Sequence, residues 1–319
     1  MPTRVLDVGS GDGSEEPRLV ISHGPPRHYV ALSHCWGERK PLQTTAQNIQ
    51  QHLLKIEMAC MPRTFKDAVM VTRNLGFRYL WIDSLCIIQG DAEDWAREVP
   101  RMADVYRNAE VTIGGLFQAD SSAGFLQREG ISPQAYVWEY KDPGEAKYKR
   151  VTIRQSEYHI GPLETWRFDS RFGSLNVEGA PLERRAWVLQ ERLLSRRTLY
   201  FSTWRMIFEC RTWTWVEDEL RHKVVDKYPL LLGGAEPELE KWDFVENAEK
   251  PDTETWYRVV EKYTKRSLTV PADSLPALSG LARVYWGNGQ ENYIAGLLKD
   301  DLPRGLAWYV DGPSRRCVT

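Results

Sequence analysis

Apolar residues fall into runs whose period changes along the chain, and each change marks an element. Tyr79, Leu80, Trp81 and Ile82 form an unbroken apolar run that ends on Asp83. That reads as a strand over 79–88 buried on both faces, as in a parallel sheet. After Gly90 and Asp91 the period becomes helical. Trp95, Glu98, Met102, Val105 and Tyr106 share one face of a helix predicted over 92–107. Four of the five belong in a core. Glu98 does not, and a carboxylate on an apolar stripe must be paired, protonated or functional.

Upstream, residues 28–37 (HYVALSHCWG) read as a buried strand with a sharp exit at Gly37. A short helix is predicted from Ala46 to Met58. Pro62 then sits in the first turn of a helix with Phe65, Ala68, Val69, Thr72 and Leu75 on its apolar face, stopped by Gly76. Residues 110–116 (EVTIGGL) form the next strand. Strand, helix, strand, helix, strand with short joins specifies an α/β fold: a parallel β-sheet flanked by helices, with right-handed crossovers. Ligands of such sheets bind beyond the carboxyl ends of the strands, which is where Asp83 lies.

The flanks are less regular. Residues 5–13 (VLDVGSGDG) look like the glycine-rich loop of methyltransferases, but Pro17, Gly24, Pro25 and Pro26 stand where its helix should run. A hairpin with Arg18–Ser22 as second strand fits better. Residues 136–160 alternate as a hairpin. Pro181–Leu194 reads as an amphipathic helix with Trp187, Leu189, Leu193 and Leu194 inward and Gln190 and Glu191 toward solvent. Residues 198–202 and 206–210 form a further hairpin, 226–251 are irregular and acidic, and helices follow at 253–266 and 274–286.

Composition narrows the function classes. A 42% apolar content supports a substantial core, and a net charge of -2 gives no reason to expect a nucleic-acid partner. No apolar run approaches the ~20 residues that span a bilayer. Five cysteines without a CxxC pair, and no secretory signal, imply a reduced cytosolic or nuclear protein, and the expected location is cytoplasmic. Thirteen tryptophans serve either the core or a stacking surface for a planar ligand. Ser33, His34, Cys35 and Trp36 are the densest polar cluster. His34 and Cys35 are adjacent on a strand and point to opposite faces, so they make a poor catalytic dyad, and His34, Cys35 and Cys86 lack the spacing of a metal site.

Residues 29–37 (YVALSHCWG), 80–89 (LWIDSLCIIQ), the spaced set Trp95, Glu98, Met102, Tyr106 and Ala109, and residues 185–195 (RAWVLQERLLS) resemble, in order, successive blocks of the fungal heterokaryon-incompatibility (HET) domain. The likeness covers about residues 25–210. Residues 275–282 (LPALSGLA) and 301–306 (DLPRGL) are similar to segments that follow in such proteins. Those proteins usually continue into a Pro-Ser-Trp-Ser-Trp stretch, whereas the sequence here closes on residues 313–319 (PSRRCVT), so the expectation is a truncated or divergent C-terminus.

The resemblance implies an effector of self/non-self recognition whose activation leads to growth arrest or cell death. It also implies a distant relation to the Toll/interleukin-receptor (TIR) fold, some members of which cleave NAD using a helical glutamate. Glu98 stands at the matching place. The expected organisation is an N-terminal β-hairpin over 1–27, a HET domain over 28–210 with a TIR/flavodoxin-like core at 28–125, and a helical extension over 211–319. The expected catalytic groups are Glu98 and Asp83, with NAD as substrate. Ser33, His34, Trp36, Gly37, Cys86, Gln89, Tyr106 and Arg185 are the expected ligand contacts. Two other readings stay open: a non-catalytic module that assembles with itself or a signalling partner, and an enzyme of fungal secondary metabolism acting on a hydrophobic small molecule.

Overall fold

The computed structural model describes residues 1–127 apart from 24–26 and 38–39, the strand pair 135–140 and 149–154, residues 180–217 apart from 203–205 and 211–212, residues 223–224, 241 and 244, and residues 251–307 apart from 288–291. The expectation for 226–251 and the chain's last residues lie largely or wholly outside them.

A nine-stranded sheet organises the chain, in the order β11-β10-β9-β8-β5-β3-β4-β1-β2. Its centre is parallel: β8 (Arg197–Phe201), β5 (Val111–Gly115), β3 (Tyr29–Ser33) and β4 (Tyr79–Trp81). Every residue of β3, β4 and β5 is buried, as their unbroken apolar runs require. Antiparallel wings flank that centre. The hairpin β1 (Arg4–Asp7) and β2 (Arg18–Ile21) pairs with β4 on one side. On the other lie β9 (Met206–Cys210), β10 (Trp213–Val216) and β11 (Lys223–Val224). The expected hairpin β6 (Ala135–Tyr140) and β7 (Lys149–Arg154) is a sheet of its own.

The order β5-β3-β4 matters most for function. From β3 the chain crosses to β4 on one side and then, from β4, to β5 on the other. Right-handed crossovers put α2 (Arg63–Asn74) on one face of the sheet and the β4–β5 helices on the other. The end of β3 is therefore the topological switch point, where the two connections part.

Several expectations need correction. The 79–88 strand is only β4, Tyr79–Trp81. Asp83 accepts the N–H of Ser84 at 2.7 Å, and the chain turns into the one-turn helix α3 (Asp83–Cys86). The 92–107 helix is two, α4 (Ala92–Glu98) and α5 (Met102–Asn108), joined by a 3-10 turn at Val99–Arg101. Pro100 causes the break, because it lacks the N–H that a continuous helix needs. Trp95 leaves the stripe and is 40% exposed, and Leu75, the C-cap residue after α2, is likewise exposed. Pro62 precedes α2 as its N-cap. The short helix α1 spans only Ile49–Leu54. The helix expected from Pro181 begins at Ala186 and runs to Leu194 as α6.

Helix α6 packs on α5, α7 (Thr253–Thr264) and α8 (Ser274–Trp286). It is not amphipathic: seven of its nine residues are buried, Gln190 and Glu191 among them. A short hairpin, β12 (Tyr293–Ile294) and β13 (Leu297–Leu298), and the one-turn α9 (Leu302–Gly305) follow. No helix among the described residues is long and apolar enough to cross a membrane.

Candidate functional site

Side chains alternate along β3, and the two faces carry different chemistry. His34 turns toward α2 and meets Phe65 edge-on, ring centroids 5.1 Å apart. Ser33 and Cys35 turn toward α6, where Cys35 packs among Leu182, Val188 and Tyr200. Helix α5 closes the same side: Tyr106 donates to the Leu32 carbonyl at 3.2 Å and meets Trp81 edge-on. Arg185, the N-cap residue of α6, donates to the carbonyl of His34. Asp83 arrives from the end of β4. Its Oδ2 accepts the Trp36 indole N–H at 2.8 Å, and its Oδ1 stands 3.7 Å from His34 Nδ1.

Into this ring projects Glu191, 3% exposed. Burial pushes its carboxyl from the ordinary 4.5 up to about 7. The Arg185 charge and the hydroxyls of Ser33 and Tyr106 pull against burial, and the Asp83 charge adds to it. Glu191 Oε2 and Ser33 Oγ are buried, yet neither completes a well-formed hydrogen bond in the chain; His34 Nε2 is in the same condition on the other face. Buried polar atoms without partners cost about 1–3 kcal/mol each. A carboxyl near 7 is available both as acid and as base at neutral pH.

The other titratable groups are quieter. Burial pushes His34 down to about 4, so it is neutral and its approach to Asp83 is not an ion pair. Burial pushes Cys35 up to about 11 and Cys86 up to about 12. Both stay thiols, which argues against cysteine nucleophiles. Tyr106, fully enclosed, is held well above the ordinary tyrosine value by burial first and by Glu191 and Asp83 next.

The structure thus brings together Ser33, His34, Trp36, Asp83, Tyr106 and Arg185. Gln89 braces the turn below them, donating to the Ile87 carbonyl at 3.0 Å. Cys86 lies in that turn with its carbonyl held by Arg4 at 2.7 Å. Glu98 joins a different network. Its Oε1 accepts from Arg97 at 3.2 Å, Arg97 also binds Asp94, and Asp94 binds Arg4. Among the described residues no hydrogen bond or ion pair links Glu98 to Asp83 or Glu191.

Gly37 leaves β3 with φ +77, and a Cβ there would stand 3.1 Å from Asp120 Cα and closer still to its side chain. Gly37→Ala is expected to lose about 1–3 kcal/mol of stability in urea unfolding. An unchanged midpoint would show that the exit from β3 adapts freely.

Glu191, expected from the sequence to face solvent, is buried in the structure. The stripe test that singled out Glu98 applies equally to Glu191, whose neighbours three residues away on either side are Val188 and Leu194.

A family model described as heterokaryon incompatibility protein (HET) matches residues 29–191, just over half of the chain. The match opens on the first residue of β3 and closes on Glu191, so the whole strand-end cluster falls within it. No curated protein and no solved structure matches the chain.

Proposed function

From the premise that the chain belongs to the heterokaryon-incompatibility (HET) family, we propose that it serves incompatibility and cell-death signalling by cleaving NAD at the nicotinamide–ribose bond, in a nucleotide-type site at the ends of β3 and β4. One observation carries this reading: Glu191 is buried and raised to about 7, beside Ser33, Tyr106 and Asp83 at the switch point. Family membership supports the signalling role. The NAD chemistry is the step beyond it.

The substrate enters past half-buried Trp36 and exposed Gly37, with Trp36 offering an aromatic face to a planar ring. As the glycosidic C–N bond breaks, its electron pair moves to the ring nitrogen and neutralises the pyridinium. The Asp83 carboxylate faces the resulting oxocarbenium carbon. Glu191 takes a proton from water as the water oxygen bonds to that carbon. The products are nicotinamide, ADP-ribose and a proton.

The test is nicotinamide release from NAD by the full chain and by two isosteric variants. Glu191→Gln is expected to lose roughly 10²–10⁴-fold in rate. Glu98→Gln is expected to stay near wild type, since Glu98 is engaged with Arg97. The reverse pattern would restore Glu98 as the acid, and no nicotinamide from wild type would favour a non-catalytic signalling module.

A further inference from the structure

The family match ends at Glu191, yet residues far beyond it hold the segment that leads into α6. The turn after α7 lies alongside that segment. Ser267 donates its N–H to the Arg184 carbonyl at 2.6 Å and accepts the Ala186 N–H at 3.0 Å, a parallel bridge centred on Arg185. Arg266 donates to the Glu183 carbonyl at 2.6 Å, to the Arg185 carbonyl at 3.2 Å and to the Glu183 carboxylate at 2.6 Å. This ion pair is nearly enclosed, Arg266 at 11% and Glu183 at 3%. Arg185 is thus gripped through its own carbonyl and both neighbouring peptides. Its guanidinium reaches forward to the His34 carbonyl at the end of β3. Among the described residues no hydrogen bond or ion pair joins Arg266 to Ser33, Asp83, Tyr106 or Glu191.

We infer that Arg266 is a positioning residue for the strand-end site: it fixes the chain entering α6 so that the Arg185 guanidinium stays over the end of β3, facing Glu191. The inference rests on the site proposed above. An arginine suits the task because its planar fork holds two carbonyls on one nitrogen and a carboxylate on the other, whereas a lysine has a single nitrogen on a flexible stem. A purely structural ion pair would stabilise the fold and leave the site's electrostatics alone. The groups facing Glu191 are Arg185, Asp83, Tyr106, Cys35 and the Ser33 hydroxyl, and Arg185 is the one cation among them. If Arg266 holds Arg185 in place, its loss weakens the attraction that favours ionised Glu191.

The experiment follows the carboxyl ¹³C resonance of Glu191 through pH, identified by its absence from Glu191→Gln. Arg266→Met is expected to raise the midpoint by about one pH unit, the size of an opposite charge moved out of reach. Arg185→Met should do the same, and the double variant should add nothing further. A lower melting temperature with the midpoint unmoved would overturn the inference, as would full additivity in the double variant. Should Arg266→Met not fold, Arg266→Lys keeps the charge beside Glu183 but loses the fork. A smaller upward shift is then expected, and no shift overturns the proposal. No substrate enters the measurement, so failure of NAD cleavage and failure of the positioning role are separately visible.

Discussion

Glu191→Gln is expected to be more stable than wild type at pH 8, by on the order of 3 kcal/mol, while losing turnover. A carboxyl at about 7 in the folded chain and near 4.5 in the unfolded chain binds more proton when folded, between those values. Stability contributed by this group therefore falls as pH rises from 4.5 to 7, and the full cost is present above 7. Glutamine mimics the protonated acid and carries no such cost. His34 has the opposite sign. Its folded value near 4 lies below the ordinary 6.5, so its contribution is present above 6.5 and lost as pH falls toward 4. In wild type the two slopes largely cancel between 4.5 and 6.5. The variant exposes the His34 slope alone, rising to pH 6.5 and then flat. Urea unfolding of both proteins at pH 5, 6, 7 and 8 measures the difference. A variant less stable than wild type at pH 8 would show that Glu191 is held by partners after all, and would remove the ground for giving it a chemical role. Stability gained with activity lost is the signature of a residue kept at a cost for function.

Local pattern made the centre of the fold legible. The largely apolar runs of β3 and β5 read as buried parallel strands, and α2, α7 and α8 follow the 3.6-residue period. What pattern could not reveal was pairing across long separations. Nothing near Val5 and Leu6 announces that their hairpin continues the main sheet beside β4. The overlong β4 has a local cause: Ile87 and Ile88 extend the apolar run, but the chain has already turned into α3 at Asp83, whose carboxylate accepts the Ser84 N–H. Trp95 shows the opposite error, an apolar side chain placed in the core by a period that Pro100 interrupts. Ser33, His34, Trp36 and Asp83, expected together beyond the strand ends, do lie around the end of β3. Arg185 and Tyr106 joined them through the family's blocks. Glu98 lies in the Arg97–Asp94–Arg4 network instead, and the acid that faces Ser33 comes from α6. Polar residues on a helix read as solvent-facing only if one face is free. Helices α5, α7 and α8 and the end of β3 leave α6 almost none, and no pattern within α6 records that they do.

Trp256→Ala is expected to cost about 3–5 kcal/mol and to destabilise the sheet along with the C-terminal helices, in one cooperative transition. Trp256 is fully buried on α7, and its indole N–H donates to the Gly296 carbonyl at 2.9 Å. It stacks on Tyr285 at 5.9 Å and meets Trp286 and Tyr293 edge-on at 6.1 and 5.7 Å. This aromatic knot is continuous with the sheet's core: one apolar cluster runs from Val5 and Leu6 through β3, β4 and β5 to Ala277, Leu281 and Leu298. A cavity at its centre loosens α7 and α8, and through them α6, which carries Glu191 against β3. Trp95→Ala, on the exposed face of α4, should change stability by no more than about 0.5 kcal/mol. Denaturant unfolding followed by far- and near-ultraviolet circular dichroism separates the cases. Coincident curves shifted together support a single core that joins the strand-end site to helices outside the matched segment. An early transition confined to the aromatic signal, with the sheet unfolding at its wild-type midpoint, would mean that α7 and α8 are an independent unit.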